Sequence, residues 1–153
     1  MTRETEIGIQ AADPESADAQ TLLNELSACL HGITGDSGRR SFQPDDVRGA
    51  RALFVVARDR HGLLGCGAIR PLSGDSAELK RMYARPNTSG VGSLILCALE
   101  DAARRFSYRE LCLETRIVNT HAVSFYERHG YTRIDNFGAY AGRAEACCFA
   151  KKL

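Results

Sequence analysis

The feature that most constrains this chain is a change of hydrophobic period at Val91. Downstream of it, Val91, Leu94, Ile95, Ala98, Leu99, Ala102 and Phe106 recur every three or four residues, the spacing that places them on one face of a helix. Arg104 and Arg105 fall near the negative end of that helix's dipole. Upstream, Ala52 to Arg58, Leu63 to Arg70 and Ala77 to Ala84 read as strands, separated by turns at Asp59-Arg60-His61-Gly62 and Ser73-Gly74-Asp75. Three antiparallel strands followed by an amphipathic helix are therefore expected. The segment that joins them is Pro86-Asn87-Thr88-Ser89-Gly90-Val91-Gly92-Ser93.

The flanks extend the pattern. Ile7 to Ala11 alternates as a strand, and Asp13-Pro14 offers an N-cap and a first-turn proline for a helix reaching about Leu30. Ala19, Leu22, Leu23, Leu26 and Leu30 form its apolar stripe. His31 to Asp46, interrupted by Gly32, Gly35, Gly38 and Pro44, reads as a loop with a short helix. After the central helix come a strand at Glu110 to Thr115, a short helix at Asn119 to His129 stopped by Gly130, and strands at Tyr131 to Asp135 and Ala146 to Lys151. The order predicts an α/β domain with a mixed sheet. At 153 residues the chain fits one domain, residues 1-153, with one core.

Composition narrows the function classes. Hydrophobic residues are 44%, charged residues 25%, and the formal net charge is +1, which is ordinary for a globular protein. The basic pairs Arg39-Arg40, Arg104-Arg105 and Lys151-Lys152 fall short of a nucleic-acid-binding stripe. The N-terminus, Met1 to Glu6, is polar and leads into no apolar core, so neither a signal peptide nor a membrane anchor is expected and the expected location is cytoplasmic. The six cysteines form no C-x-x-C pair, and no metal site is expected.

A glycine-bearing turn between a strand and a helix suits anion binding, because the first free N–H groups of the helix point at whatever sits there. The flanking residues add a pattern. Asn119-Thr120-His121-Ala122-Val123-Ser124-Phe125-Tyr126 followed by His129-Gly130-Tyr131 resembles the N-x-x-A-x-x-L-Y and G-F or G-Y motifs of the GNAT superfamily of N-acetyltransferases. The resemblance runs from the first helix to Leu153. It implies a mostly antiparallel twisted sheet flanked by helices, splayed between the fourth and fifth strands, with the pantetheine arm of acetyl-CoA lying in the gap as a pseudo-strand. The main chain around Met82, Tyr83 and Ala84 would pair with pantetheine amides. Asn87, Thr88, Ser89, Gly90, Val91, Gly92 and Ser93 would hold the pyrophosphate, and Asn119 would lie near the pantetheine arm or cap its helix. The family usually has Gln or Arg where Asn87 stands and glycine where Thr88 stands, so a charge-assisted hydrogen bond to phosphate, about 1.5 to 3 kcal/mol, is absent here.

The resemblance also implies roles. Tyr126 matches the general acid, a phenol that remains protonated at neutral pH and can donate to a departing thiolate. Glu78 occupies the place of the family's base, with an ion pair to Lys80 or Arg81 as the competing role; Glu114 is the weaker candidate. The amine acceptor decides how much base is needed: freeing a lysine-like amine at pH 7 costs about 4.6 kcal/mol, an α-amino group about 1 kcal/mol. Phe137 and Tyr140 would wall the acceptor pocket. The expected activity is acetyl transfer from acetyl-CoA to an amine of a small molecule or protein in a ternary complex, with a non-catalytic acyl-CoA sensor as the alternative. A sheet edge near Ala146 to Lys151 would support a homodimer.

Overall fold

The computed structural model describes residues 6–39 and 42–153. Met1 to Thr5, and Arg40 of the basic pair, lie outside the described residues. In chain order the elements are β1 (Gly8–Ala11), α1 (Ala17–Thr34), a 3-10 turn at Pro44–Val47, β2 (Leu53–Asp59), β3 (Gly62–Pro71), β4 (Ser76–Ala84), α2 (Val91–Arg105), β5 (Glu110–Arg116), α3 (Thr120–Arg128), β6 (Thr132–Ile134), a 3-10 turn at Gly138–Tyr140, and β7 (Ala146–Lys152). The strands form one sheet in the order β1-β2-β3-β4-β5-β7-β6. Only the β4–β5 neighbours are parallel.

The sheet is covered on both faces, which is why β2 reads as an unbroken apolar run. Its alternate residues Phe54 and Val56 pack with Ala19, Leu22 and Leu23 of α1. Val55 and Ala57 point the other way, into the core formed with Ile95, Leu99 and Ala102 of α2. Tyr126, Ala122 and Phe125 of α3 join that second core.

Two boundaries differ from the sequence expectation. Asp13 is not the N-cap of α1; it accepts the N–H of Glu15 in a local turn, and the cap is Ser16, whose hydroxyl accepts from Ala19. Both residues are good caps, and Ser16 leaves room for the turn through Pro14. The helix also runs one turn past Leu30, to Thr34, and ends on Gly35 in the left-handed conformation. A third difference concerns the sheet. Ala146–Lys152 is not an edge: it pairs with β5 on one side and β6 on the other. The edge on that side is the three-residue β6.

One irregularity matters for function. Ala68 pairs with Lys80 and Cys66 with Tyr83, so Gly67 alone faces Arg81 and Met82, and Arg81 has a φ of 54°. This is a β-bulge, which bends and twists the strand that carries it. Gly67 is required there: a Cβ would lie 2.6 Å from Met82 Sδ and 2.9 Å from Ile95 and Leu99. Gly67→Ala is therefore expected to cost about 1–3 kcal/mol through overpacking, read as a lower urea midpoint. Gly32→Ala, in open space on α1, should instead gain about 0.5–1 kcal/mol in the same titration.

Candidate active site

β4 and β5 pair over only three residues, Ser76–Glu110, Ala77–Leu111 and Glu78–Cys112. Beyond Glu78 the two strands part, and the stretches Leu79–Ala84 and Leu113–Arg116 no longer bond to one another. Between them opens a cleft of about 320 Å³. β4 lines it with Glu78, Lys80 and Met82, β5 with Leu113, Glu114 and Arg116, α3 with Asn119, Ala122 and Tyr126. Leu26, Leu30 and Thr34 of α1 close one side, and Ala139, Tyr140 and Arg143 another.

The bulge is held by its own side chain. The Arg81 guanidinium donates to Ser27 Oγ at 2.6 Å and to the carbonyls of Ser37 and Leu23 at 3.2 and 3.4 Å. Burial lowers its pKa from the ordinary arginine value. Arg81 thus turns toward α1 and makes no contact with Glu78, contrary to one expectation from the sequence; its guanidinium is taken by Ser27, Ser37 and Leu23.

Glu78 is 1% exposed and both its oxygens are occupied. Oε1 accepts from Arg70 Nε at 3.0 Å and lies 2.9 Å from Arg70 Nη2; Oε2 accepts from the Tyr140 hydroxyl at 2.9 Å. Arg70 is its cross-strand partner on β3. Lys80 Nζ stands 3.7 Å from Oε2 and donates to the Tyr140 hydroxyl at 3.1 Å. Glu114 accepts from Arg116 at 2.8 Å on Oε1, and its other oxygen has no partner among the described residues.

Desolvation pushes each shifted group of the cleft toward its neutral form. It lowers the Lys80 pKa, against the attraction of Glu78. It raises Glu114, against Arg116 and Lys80, and raises Tyr140, where Glu78 adds to the effect. Tyr126 is raised by burial alone; its ring stacks edge-on against Phe125 and Tyr131, and its hydroxyl makes no hydrogen bond among the described residues.

Beyond the cleft, β4 runs into the turn ahead of α2. Gly90 precedes that helix with a φ of 73° and no side chain caps it. The N–H groups of Ser89 to Ser93 find no acceptor among the described residues; the first helical bond is Leu94 to Gly90. Asn87 is also left-handed, with a φ of 63°, a conformation asparagine tolerates better than arginine or glutamine. Thr88 donates its hydroxyl to the Arg85 carbonyl at 2.6 Å. The end of α2 is clamped to α3, since Ser93 Oγ is 2.9 Å from His129 Nε2 and His129 Nδ1 is 2.7 Å from the Phe125 carbonyl.

The residues singled out from the sequence thus fall in four places. Glu78, Met82, Asn119, Tyr126 and Tyr140 share the cleft; Asn119 also caps α3 through the Ala122 N–H. Tyr83 and Ala84 continue β4 past the cleft, with the Tyr83 hydroxyl donating to Glu25 of α1. Asn87 to Ser93 form the cradle at its far end. Phe137 stands behind Tyr140, ring centroids 5.4 Å apart, and does not line the cleft. Sequence reasoning passed over Lys80 as a cleft residue, although two-residue alternation from Glu78 places it on the same face. It passed over Arg116 and Arg143 too, which no local pattern distinguishes.

Comparison with known proteins agrees with this geometry. A sequence profile described as "Acetyltransferase (GNAT) domain" matches residues 50–133. An "IAA acetyltransferase" of Azospirillum brasilense is 34% identical over 90 residues, 57% of this chain and 59% of that protein. An "Uncharacterized N-acetyltransferase YsnE" of Bacillus subtilis is 27% identical over 152 residues, 95% of this chain and 99% of its own length. The chain spans about half the length of the first curated relatives it matches. Among solved structures, a Klebsiella pneumoniae protein described as an acyl-CoA N-acyltransferase superposes with a TM-score of 0.80 at 27% identity, over 96% of this chain and 97% of that one. An N-acetyltransferase from Thermoplasma acidophilum, crystallised with coenzyme A, shares the fold with a TM-score of 0.75 at 22% identity, over 97% and 99% of the two chains.

The two cleft carboxylates should respond oppositely to neutralisation. Glu114 has a raised folded-state pKa, so its charge opposes folding above the ordinary carboxylate range and not below it. Glu114→Gln is expected to raise the urea midpoint at pH 7, with the gain fading as the pH falls to that range. Glu78→Gln forfeits charge-assisted bonds from Arg70, at about 1.5–3 kcal/mol, and should lower the midpoint at pH 7.

Proposed function

The chain belongs to the GNAT acetyltransferase family, and on that footing we propose that it transfers the acetyl group of acetyl-CoA to a primary amine, with both substrates bound together. The observation that carries this reading is the parting of β4 and β5 after Glu78 and Cys112. It leaves an unpaired strand edge that runs from a buried polar cleft to the uncapped end of α2. An extended arm of alternating amides suits the edge, and a diphosphate suits the free N–H groups at its end. The coenzyme A complex of the Thermoplasma relative is in keeping with it.

Acetyl-CoA would supply an activated thioester; the remaining work falls to the chain. Met82 and Ala84 would offer main-chain bonds to the pantetheine arm, with the side chain of Asn119 beside it. Ser89 to Ser93 would hold the pyrophosphate through backbone N–H groups, which stand in for the side chain that Asn87 does not provide. Tyr126 would donate the proton that the leaving sulfur needs. Its pKa is raised by burial, yet the match survives, because burial in this fold raises thiols as well: Cys66 and Cys112 are both pushed up to about 12. A leaving thiolate in the same cleft gains basicity from the same cause.

Proton removal from the acceptor has two carboxylates available. Glu78 can take a proton only by giving up a bond from Arg70 or Tyr140, or by passing it through the Tyr140 hydroxyl. Glu114 has an oxygen open to the cleft and a pKa raised toward the working range of a base. We assign proton acceptance to Glu114 and, in refinement of the sequence expectation, give Glu78 the task of fixing Tyr140 and Lys80.

Thermal unfolding with acetyl-CoA, coenzyme A and ATP tests the reading directly. A ligand at 100 times its dissociation constant adds about 2.7 kcal/mol, so the midpoint should rise by several degrees with the first two and not with ATP. No rise with either would sink it. Tyr126→Phe should then leave that shift in place while lowering turnover of an amine by about a hundredfold or more. Unchanged turnover would remove Tyr126 from the chemistry.

A further inference from the structure

The cleft proposed to acetylate amines already contains one. We infer that Lys80 is an internal acetyl acceptor: the protein acetylates its own Lys80 amine from acetyl-CoA, and the resulting amide closes the cleft to other acceptors. This rests on the acetyl-CoA reading above.

Of the 20 lysines and arginines only three are lysine: Lys80, Lys151 and Lys152. A guanidinium stays protonated and does not act as an amine nucleophile at neutral pH, so Lys80 is the sole side-chain primary amine among the described residues of the cleft. Lys151 is turned away, ion-paired with Glu100 at 3.0 Å and lying over the Tyr131 ring. Lys152 is exposed at the end of β7.

Three features make Lys80 reactive rather than merely buried. It is 7% exposed, and its one hydrogen bond goes to a neutral hydroxyl, that of Tyr140. Its nearest carboxylate oxygen, Glu78 Oε2, is 3.7 Å away and already accepts from Tyr140. The charges that bear on it are Glu78 of β4, Arg70 of β3, Glu114 of β5 and Asp46 from the 3-10 turn; together the three carboxylates do not overcome desolvation, which favours the free amine. Glu114 also offers an open oxygen within the same cleft.

In the step itself, the Lys80 ammonium gives one proton to Glu114, and the Nζ lone pair attacks the thioester carbonyl carbon. The C–N bond forms and the C–S bond breaks. Sulfur leaves with the Tyr126 proton, and the surplus proton on nitrogen returns to Tyr126 through solvent. The products are an amide, coenzyme A and one proton released from Glu114. The amide has no charge to offer Tyr140 and Glu78, and its acetyl group stands in a cleft of only about 320 Å³.

The test is to incubate the purified protein with acetyl-CoA, follow its intact mass, and map the modified peptides. The expected result is a gain of one acetyl group on Lys80, several-fold faster than on Lys152, which reports the uncatalysed reaction of an exposed amine in the same chain. Lys80→Arg, which keeps the cation and the donor to Tyr140, should lose that gain and still show the acetyl-CoA shift in unfolding midpoint. A clear shift with acetylation confined to Lys152 or the N-terminus overturns the inference and leaves the acetyl-CoA reading standing. No shift overturns both.

Discussion

Everything distinctive about this molecule follows from β4 leaving β5 after three paired residues. A parallel pair in the middle of a sheet is normally buried and continuous, and giving up its bonds exposes backbone groups that need partners. Two devices hold the break open. The bulge at Arg81 and Met82 bends β4 where it would otherwise follow its neighbour. The Arg81 side chain then ties that bend to Ser27 and to the Leu23 carbonyl of α1. A non-glycine residue in the left-handed region costs about 1–3 kcal/mol, and three part-buried hydrogen bonds from the guanidinium work against that cost. The same anchor draws the end of α1 over the cleft, so the strain that opens the site and the wall that closes it share one side chain.

The side chains that line the cleft are largely desolvated, and that sets its chemistry. Lys80, Glu114, Tyr126 and Tyr140 are all moved toward neutrality, each with desolvation as the largest cause. For amine acylation that is the useful direction: the amine must shed a proton, the base must want one, and the acid must keep its own until the sulfur leaves. Glu78 is held on both oxygens, with Arg70 reaching it from β3 and Tyr140 from the loop before β7, and it fixes the groups around it in place.

Much of this was legible in the sequence where local physics decides. α2 could be read from its period alone, and the cradle from Gly90, which adopts the positive φ its place requires. Tyr126 and Asn119 were found through a motif, and both face the cleft. What failed depended on partners distant in sequence. The cap of α1 was a contest between Asp13 and Ser16, decided by the turn between them. β7 enters between β5 and β6, a strand order that alternation does not encode. The partner of Glu78 lies eight residues away across a hairpin, and Arg81 is taken by partners on α1 and in the loop after it, far off in sequence. The Lys80–Glu78 ion pair is present at 3.7 Å, and what the sequence does not show is the Tyr140 hydroxyl bonded to both.

The boundary of the family match carries a further meaning. Residues 50–133 contain β4, the cradle, β5, α3 and Tyr126, which is the machinery proposed to hold acetyl-CoA and move its acyl group. The residues that close the acceptor side lie outside that span: Leu26, Leu30, Thr34 and Asp36 before it, Ala139, Tyr140 and Arg143 after it. The half of the cleft set by backbone geometry is thus the half shared with relatives. The half set by side chains from α1 and the loop ahead of β7 lies outside the matched span. Backbone N–H groups and strand edges recognise a ligand whatever the local sequence, so that part can be inherited while the residues around it change. An acceptor would instead meet side chains projecting from α1 and the loop ahead of β7, which Arg81 and Tyr140 help tie to the sheet. Changes in those elements would leave in place the break between β4 and β5 on which the proposed acyl transfer depends.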